Sequence, residues 1–203
     1  MTPLTWAAAK GELEIAERLL DLGADVDAPS TSGSTALALA SSKGHFELVR
    51  LLVSRGASVN AKAGGGTPLM SAAMRRQADL MQLLLTSGAD VNARTDQGGT
   101  ALAFVFKVDT GPAGIQLMPG EESFLAAAKM LLTAGADPNA SDAFGQTPLI
   151  RAAVLNQANV CRALLEAGAD PMLVDEDGKT ALDHANTCGC DDAKAVLKPA
   201  TRT

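Results

Sequence analysis

Residues 67–89 read TPLMSAAMRRQADLMQLLLTSGA, a segment in which a Gly-Ala pair begins 21 residues after the first threonine. The opening pattern of threonine, any residue and leucine occurs six times, and successive starts are separated by 33, 32, 33, 47 and 33 residues. A period near 33 indicates an array of similar structural units. The fourth interval exceeds 33 by 14 residues (47 − 33), so the fourth unit contains an insertion. The starts are Thr2, Thr35, Thr67, Thr100, Thr147 and Thr180.

Each unit carries the signals of two helices. A threonine hydroxyl can accept a backbone N–H at the start of a helix, and proline is favoured at the first helical position, as at Pro68. A glycine or polar residue interrupts the apolar pattern about nine residues later, and a second amphipathic run follows. The glycine of the Gly-Ala pair, such as Gly88, suits a left-handed cap that ends the second helix. Asp, Asn and Gly in the segment before the next threonine favour a tight turn.

These units closely resemble ankyrin repeats, whose pattern reads roughly D-x-x-G-x-T-P-L-H-x-A-A, then an apolar helix, then G-A-D-x-N-A. The resemblance implies an all-α fold, a solenoid of six stacked helix-turn-helix repeats with short β-hairpin loops and one loop insertion in repeat four. We expect residues 1–198 to form a single domain, with 199–203 as a tail. The predicted repeats are 1–28, 29–60, 61–92, 93–139 (with the insertion at 108–121), 140–172 and 173–198.

One departure from the family pattern is systematic. The histidine that follows Thr-Pro-Leu in the family is absent from every unit, and we expect its hydrogen bond to be lost, so that neighbouring packing holds the repeats together. The residues at this position are Thr5, Ala38, Met70, Ala103, Ile150 and Asp183.

Composition excludes several classes of protein. A net charge of −6 and a pI near 4.9 are unfavourable for nucleic-acid binding, which depends on clustered cations. The sequence lacks a run of 18 apolar residues, which a membrane-spanning helix would need, and no signal sequence is recognisable after Met1. Three cysteines in helical segments make a disulfide framework unexpected. We therefore expect a cytoplasmic monomer that binds neither nucleic acid nor membrane, with a periplasmic protein whose signal peptide has been removed as the alternative location.

The sequence does not indicate an enzyme or a cofactor site. The two histidines, His45 and His184, lie in repeats two and six, too far apart to share a catalytic site. A zinc site at His184, Cys188 and Cys190 is a minor alternative, because residues four apart share a helical face, but a fourth ligand is lacking. The acidic run 175–177 is interpreted as a polar cap on the terminal repeat.

In ankyrin repeats the hairpin tips and the end of the first helix line a concave surface that binds proteins. At these positions the fifth repeat carries Phe144, Val154 and Leu155, and Phe144 is the strongest candidate anchor because aromatic residues dominate binding hot spots. The corresponding positions also include Lys107, Met74 and Arg75.

The insertion at 108–121 contains prolines and glycines that forbid a regular helix, with Ile115, Leu117 and Met118 at its centre. We expect the loop to fold toward Lys107 and the end of the fifth repeat's first helix and to help shape the binding surface. Two alternatives remain: a neutral insertion, or a loop whose role is to bury Val154 and Leu155.

These features predict a non-catalytic scaffold that binds a protein partner through its concave face, its hairpin tips and the 108–121 loop. The first unit begins directly at its helix, without a preceding hairpin. This observation motivates an alternative, in which the chain is a regulatory ankyrin segment of a larger enzyme or channel.

Overall fold

The computed structural model describes residues 1–107 and 120–201, and in these residues the regular secondary structure is helical. No β-strand occurs in this part of the chain, and the hairpin loops contribute only an isolated bridge between Ala63 and Gly66. The helices are α1 (Pro3–Lys10), α2 (Leu13–Asp21), α3 (Ala36–Lys43), α4 (Phe46–Ser54), α5 (Pro68–Arg75), α6 (Ala78–Thr86), α7 (Ala101–Phe104), α8 (Glu121–Thr133), α9 (Pro148–Val154), α10 (Ala158–Glu166), α11 (Ala181–Cys188) and α12 (Asp191–Ala200).

The chain divides into two compact units, Met1–Thr95 with α1–α6 and Asp96–Thr203 with α7–α12. In the first unit, α1, α3 and α5 each pack against the helix that follows, α1 and α5 also contact α3, and α2 and α6 contact α4. The second unit repeats this arrangement with α7, α9 and α11 in one row and α8, α10 and α12 in the other. The predicted all-α architecture of stacked helix pairs is confirmed.

The first helix of each pair begins at a threonine, as predicted. Thr35 is extended, with φ −82° and ψ 163°, and its Oγ1 accepts the N–H of Ala38 at 3.3 Å. The same bond is made by the threonines at 2, 67, 100, 147 and 180. Each therefore satisfies one backbone donor that the first turn of a helix leaves without an intrahelical partner.

Alanine and leucine form the core between neighbouring helix pairs. Leu48, Val49 and Leu52 of α4 are almost fully buried, and the small side chains of Ala7 and Ala8 allow α1 to approach its neighbours closely. This thin interface accounts for an apolar fraction of 47% with only 3% aromatic residues.

The turns that follow the second helices are joined across repeats by side-chain amides. Asn139 donates from Nδ2 to the carbonyl oxygen of Gly168 at 3.0 Å and accepts the N–H of Asp170 on Oδ1 at 2.7 Å. Asn60 makes the same pair of bonds, to Gly88 and Asp90. The corresponding residue after α10 is Met172, which is 60% exposed and has no amide to make such bonds.

The fourth repeat differs from the others where its insertion begins. Its first helix, α7, has only four residues, although Val105 and Phe106 remain buried beyond its end. Its second helix, α8, has 13 residues, and Phe124 on α8 stacks on Phe106 with ring centroids 6.2 Å apart. Of the predicted insertion, residues 108–119 lie outside the described part of the chain, and Glu121 is the first residue of α8.

In at least two repeats the residue at the position of the family histidine makes local hydrogen bonds that were not predicted from the sequence. Thr5 donates from Oγ1 to the carbonyl oxygen of Thr2 at 2.9 Å. The carboxylate of Asp183 accepts the N–H of Thr180 at 2.9 Å and its hydroxyl at 2.6 Å. The Thr180 hydroxyl and N–H hold the pKa of the Asp183 carboxyl below its usual range. Short polar side chains at this position thus bond to their own helix cap.

The last repeat differs from expectation in two ways. Cys188 and Cys190 form a disulfide across Gly189, although no disulfide framework was predicted from the sequence. Helix α12 continues through Ala200 and thus extends two residues into the predicted tail. Among the helices of residues 1–107 and 120–201, we find none with both the length and the apolar character needed to span a bilayer.

Candidate partner-binding surface

Phe144 lies at the tip of the loop before α9, and its backbone is fixed by Asp142. The carboxylate Oδ1 of Asp142 accepts the N–H groups of Phe144 and Gln146, both at 3.0 Å. Gly145 completes the turn with a φ of 72°, a conformation that glycine adopts without strain. The Phe144 residue is 51% exposed, so a large apolar side chain projects from an ordered backbone.

Backbone hydrogen bonds join this tip to the tips on either side. The N–H of Ala143 donates to the carbonyl oxygen of Gln97 at 2.8 Å, and the N–H of Glu176 donates to that of Phe144 at 3.1 Å. The tips approach so closely that a Cβ added at Gly145 would lie 2.8 Å from the Cα of Asp175. Three successive tips of the second unit therefore form one backbone-linked row.

A buried carboxylate also anchors each of the last two tips to the helix that follows it. Asp142 pairs with the guanidinium of Arg151 on α9, and the Oδ2 of Asp175 lies 2.6 Å from Nε2 of His184 on α11. Burial raises the pKa of the Asp175 carboxyl, but hydrogen bonds from the Lys179 N–H, the His184 ring and the Asp177 N–H outweigh burial, so its pKa lies below the usual value. Asp175 is thus a buried anchor, and the prediction that it belongs to a solvated polar cap is wrong.

The remaining candidates of the second unit lie at the far ends of first helices. Val154, the last residue of α9, is 44% exposed, and Leu155 after it is half-buried. The seven residues of α9 separate Val154 from the Phe144 tip by about 10 Å of helix. Lys107 is exposed, and its Nζ lies 4.4 Å from the centre of the Phe104 ring. The structure thus places Phe144 and Val154 at opposite ends of one helix.

In the first unit, Met74 and Arg75 end α5, where Met74 is half-buried and Arg75 is exposed. Arg75 donates from Nε to the carbonyl oxygen of Ser42 at 3.0 Å and from Nη2 to that of Lys43 at 3.3 Å. It therefore binds the C-terminal carbonyls of the neighbouring helix α3, a role that the sequence analysis missed because the partners are more than 30 residues away. Ile115, Leu117 and Met118 lie outside the described residues.

The alternative zinc site is not supported by the local geometry. The His184 ring is engaged by Asp175, and the sulfur atoms of Cys188 and Cys190 are joined to each other. No cluster of three or more His, Cys, Asp or Glu side chains suited to a metal occurs in the described ranges. The third cysteine, Cys161, is buried, and burial followed by the charge of Glu121 raises its pKa to about 12, which makes it a poor nucleophile.

Exposed apolar residues also occur where sequence reasoning did not place them. Trp6, Ile15 and Leu22 of the first repeat are between 44% and 76% exposed. Ile15 occupies the position of the buried Leu48 in the next repeat, but its helix α2 packs against α4 on one side, whereas α4 packs between α2 and α6. Counting the repeats places Ile15 in the first one, and this position in the sequence could have indicated that its side chain is exposed.

Comparison with known proteins identifies the repeat. A family profile described as ankyrin repeats, in three copies, matches residues 4–95 and 121–202. A crystal structure of an ankyrin repeat domain from Acinetobacter baumannii AYE is similar, with a TM-score of 0.83 and 30% identity over 98% of this chain and 97% of that one. The ankyrin repeat protein EF0377 has a TM-score of 0.81 and 26% identity over 97% and 96% of the two chains. No curated protein sequence matches this chain.

The match of the family profile covers most of the chain, and it coincides with the threonine-capped helix pairs described above. On this basis the chain belongs to the ankyrin repeat family.

Proposed function

We propose that this chain is a non-catalytic scaffold that binds a protein partner, with Phe144 as its principal anchor. Ankyrin repeats are in general modules of protein–protein interaction and are generally not catalytic. The observation that carries the proposal is the exposed Phe144 side chain on a tip whose backbone is bonded to both neighbouring tips. Such a tip loses little conformational entropy when a partner binds, so most of the gain from burying the ring contributes to affinity.

Val154, Leu155 and Lys107 extend the proposed surface of the second unit beyond the tip, and Met74 with Arg75 forms a separate contact in the first. Val154 supports this assignment because it is a large apolar residue that remains exposed at a helix end. The 108–121 loop is proposed to contribute Ile115, Leu117 and Met118, since apolar residues at the centre of a long loop favour docking.

Affinity capture with the intact chain and with Phe144→Ala tests the anchor. Truncating an aromatic hot spot costs about 2 kcal/mol or more, so capture of the partner should weaken at least about 30-fold. Leu22→Ala is the matched control, because Leu22 is also large, apolar and exposed but lies in the first unit. Equal recovery of the same proteins by the intact chain and Phe144→Ala would remove Phe144 as the anchor.

Deletion of residues 108–119 tests the loop separately. The deletion spares Glu121, which begins α8, so helicity measured by circular dichroism should be retained while partner binding is lost. Unchanged partner affinity in the deleted chain would show that the insertion is neutral.

We further propose that the scaffold acts as a monomer in the cytoplasm. A reducing cytoplasm keeps most structural thiols reduced, so the Cys188–Cys190 pair should be found mainly as thiols when cells are quenched in acid and alkylated. Full oxidation of this pair in cells would place the protein in an oxidising compartment instead. Sedimentation of the purified chain at several concentrations tests the monomer.

A further inference from the structure

Charge is strongly segregated in the first unit. Its nine acidic residues all lie in or next to the second helices and the turns that follow them. None occurs in residues 1–11, 28–46 or 48–78. The first helices α1, α3 and α5, and residues 28–35 and 55–67 that lead into α3 and α5, therefore contain no carboxylate side chain. This arrangement is unexpected in a chain whose net charge is −6.

The same three helices each end in a cation. Lys10, Lys43 and Arg75 are the last residues of α1, α3 and α5, and all three are exposed. We call these residues the cationic row. A cation at a helix C-terminus also stabilises the helix dipole, which gives each residue an ordinary local role. That role does not account for the absence of acidic residues from the first helices α1, α3 and α5.

Direct contacts show that the helix ends of the row adjoin one another. The guanidinium of Arg75 reaches the Ser42 and Lys43 carbonyl oxygens at the end of α3. At the end of α1, a Cβ added at Gly11 would lie 2.8 Å from Cε1 of His45, which follows α3. Since packed helices lie about 8–10 Å apart, the cationic row spans on the order of 20 Å.

The lysines of the row have no ionic partner among the residues that the structure describes, unlike Arg50 and Arg55 of the same unit. Arg50 pairs with Glu47, and Arg55 pairs with Glu17 and Asp21. Lys10 and Lys43 take part in none of the ion pairs found in the described residues. Their charges are therefore available to a partner.

We propose that the cationic row binds an extended acidic segment of a protein, with a carboxylate at about every third residue. A polyproline II segment repeats every three residues and rises about 3.1 Å per residue, so its equivalent side chains are about 9 Å apart. This spacing matches the separation of adjacent helices in the row. The inference deepens the proposed scaffold function, because it gives the chemistry of a partner segment for the first unit.

Fluorescence anisotropy with the full chain and a labelled proline-rich peptide that has glutamate at every third residue tests the proposal. The peptide should bind, and binding should weaken as salt screens the exposed charges. Lys10→Gln and Lys43→Gln should each reduce the affinity about 1.5- to 5-fold. Arg75 is left intact because it also bonds to α3.

Two controls make the result specific. Lys129→Gln with Lys198→Gln removes two exposed cations from the second unit and should leave the affinity unchanged. A peptide with glutamine in place of glutamate should not bind. Equal binding of the two peptides, equal losses in the control variant, or tighter binding of a single-stranded oligonucleotide of the same charge would each overturn the proposal.

The test of the cationic row can succeed or fail independently of the test of Phe144 as the anchor. Phe144→Ala should leave the affinity for the acidic peptide unchanged, because Phe144 belongs to the second unit. If the lysine variants bind the peptide normally while Phe144→Ala loses the captured partner, the cationic row is refuted and the anchor stands. If the lysine variants lose the peptide and Phe144→Ala captures the partner normally, the row stands and the anchor is refuted.

Discussion

Replacing Asn139 by alanine should weaken the link between the turn after α8, in the fourth repeat, and the turn after α10, in the fifth repeat. The amide of Asn139 makes two hydrogen bonds across this junction, to the Gly168 carbonyl at 3.0 Å and from the Asp170 N–H at 2.7 Å. A hydrogen bond contributes about 0.5–1.5 kcal/mol net, and these bonds are partly open to solvent. We therefore expect the free energy of unfolding of the second unit to fall by about 1–2 kcal/mol.

Met172→Ala is the matched control, since Met172 occupies the equivalent turn position one repeat later and is 60% exposed. Its truncation should change the free energy of unfolding by less than about 0.5 kcal/mol. Urea denaturation followed by circular dichroism measures both variants. Because repeat proteins can lose two-state behaviour, amide hydrogen exchange of Asp170 provides a local measurement, and it should accelerate only in Asn139→Ala.

The refuting results are specific. A neutral Asn139→Ala, or a Met172→Ala that is equally destabilising, would show that these amide bonds do not hold adjacent repeats together. Unchanged exchange at Asp170 in Asn139→Ala would show that the bond to its N–H contributes no local protection.

Three further predictions concern the second unit. Gly145→Ala should be more destabilising than Gly178→Ala, because the two glycines have φ of 72° and 71° but only the Gly145 Cβ would meet backbone, at 2.8 Å. Melting temperatures test this, and equal losses would contradict the close approach of the tips. The lowered pKa of Asp175 means that its carboxylate stabilises the fold above the unfolded pKa near 3.9 and that this contribution is lost as pH falls through the folded value. In urea denaturation, Asp175→Asn should therefore lower the free energy of unfolding more at about pH 7 than at about pH 3. The control, Asp177→Asn at an exposed position, should have little effect at either pH. A loss for Asp175→Asn that does not depend on pH would contradict the ionic anchor. Under denaturing but non-reducing conditions, mass spectrometry should find that an alkylating reagent labels only Cys161; three labelled cysteines in air-oxidised protein would exclude the disulfide.

Helix caps and core positions could be predicted because their signals are local. The hydroxyl of Thr35 caps its helix by accepting the N–H of Ala38, only three residues away. Pro68 favours the first turn of the helix that it begins. Gly88, with a φ of 87°, has the left-handed conformation after the end of α6 that the Gly-Ala pair predicted. Each of these features depends on a few adjacent residues, and the period of about 33 repeats them along the chain.

The candidate surface could be predicted only in part from such local signals. Phe144 and Val154 are exposed as expected, but their separation by the length of α9 depends on the structure. Burial of Asp175 was missed because its partner, His184, lies on the next helix and the surrounding carboxylates suggested a solvated cap. The sequence also contains no indication that Arg75 bonds to carbonyl groups of the preceding repeat.

The amino-acid sequence by itself determined the all-α repeat, the register of its helix pairs and, in the first unit, the absence of acidic residues from the first helices. The tertiary structure decided which side chains remain exposed and which carboxylates become anchors, as in the contrast between Ile15, which is 44% exposed, and Leu48, which is 2% exposed at the equivalent position. The physical reason is that caps and turns are satisfied by neighbours in sequence, whereas burial depends on the presence of a repeat some 33 residues away.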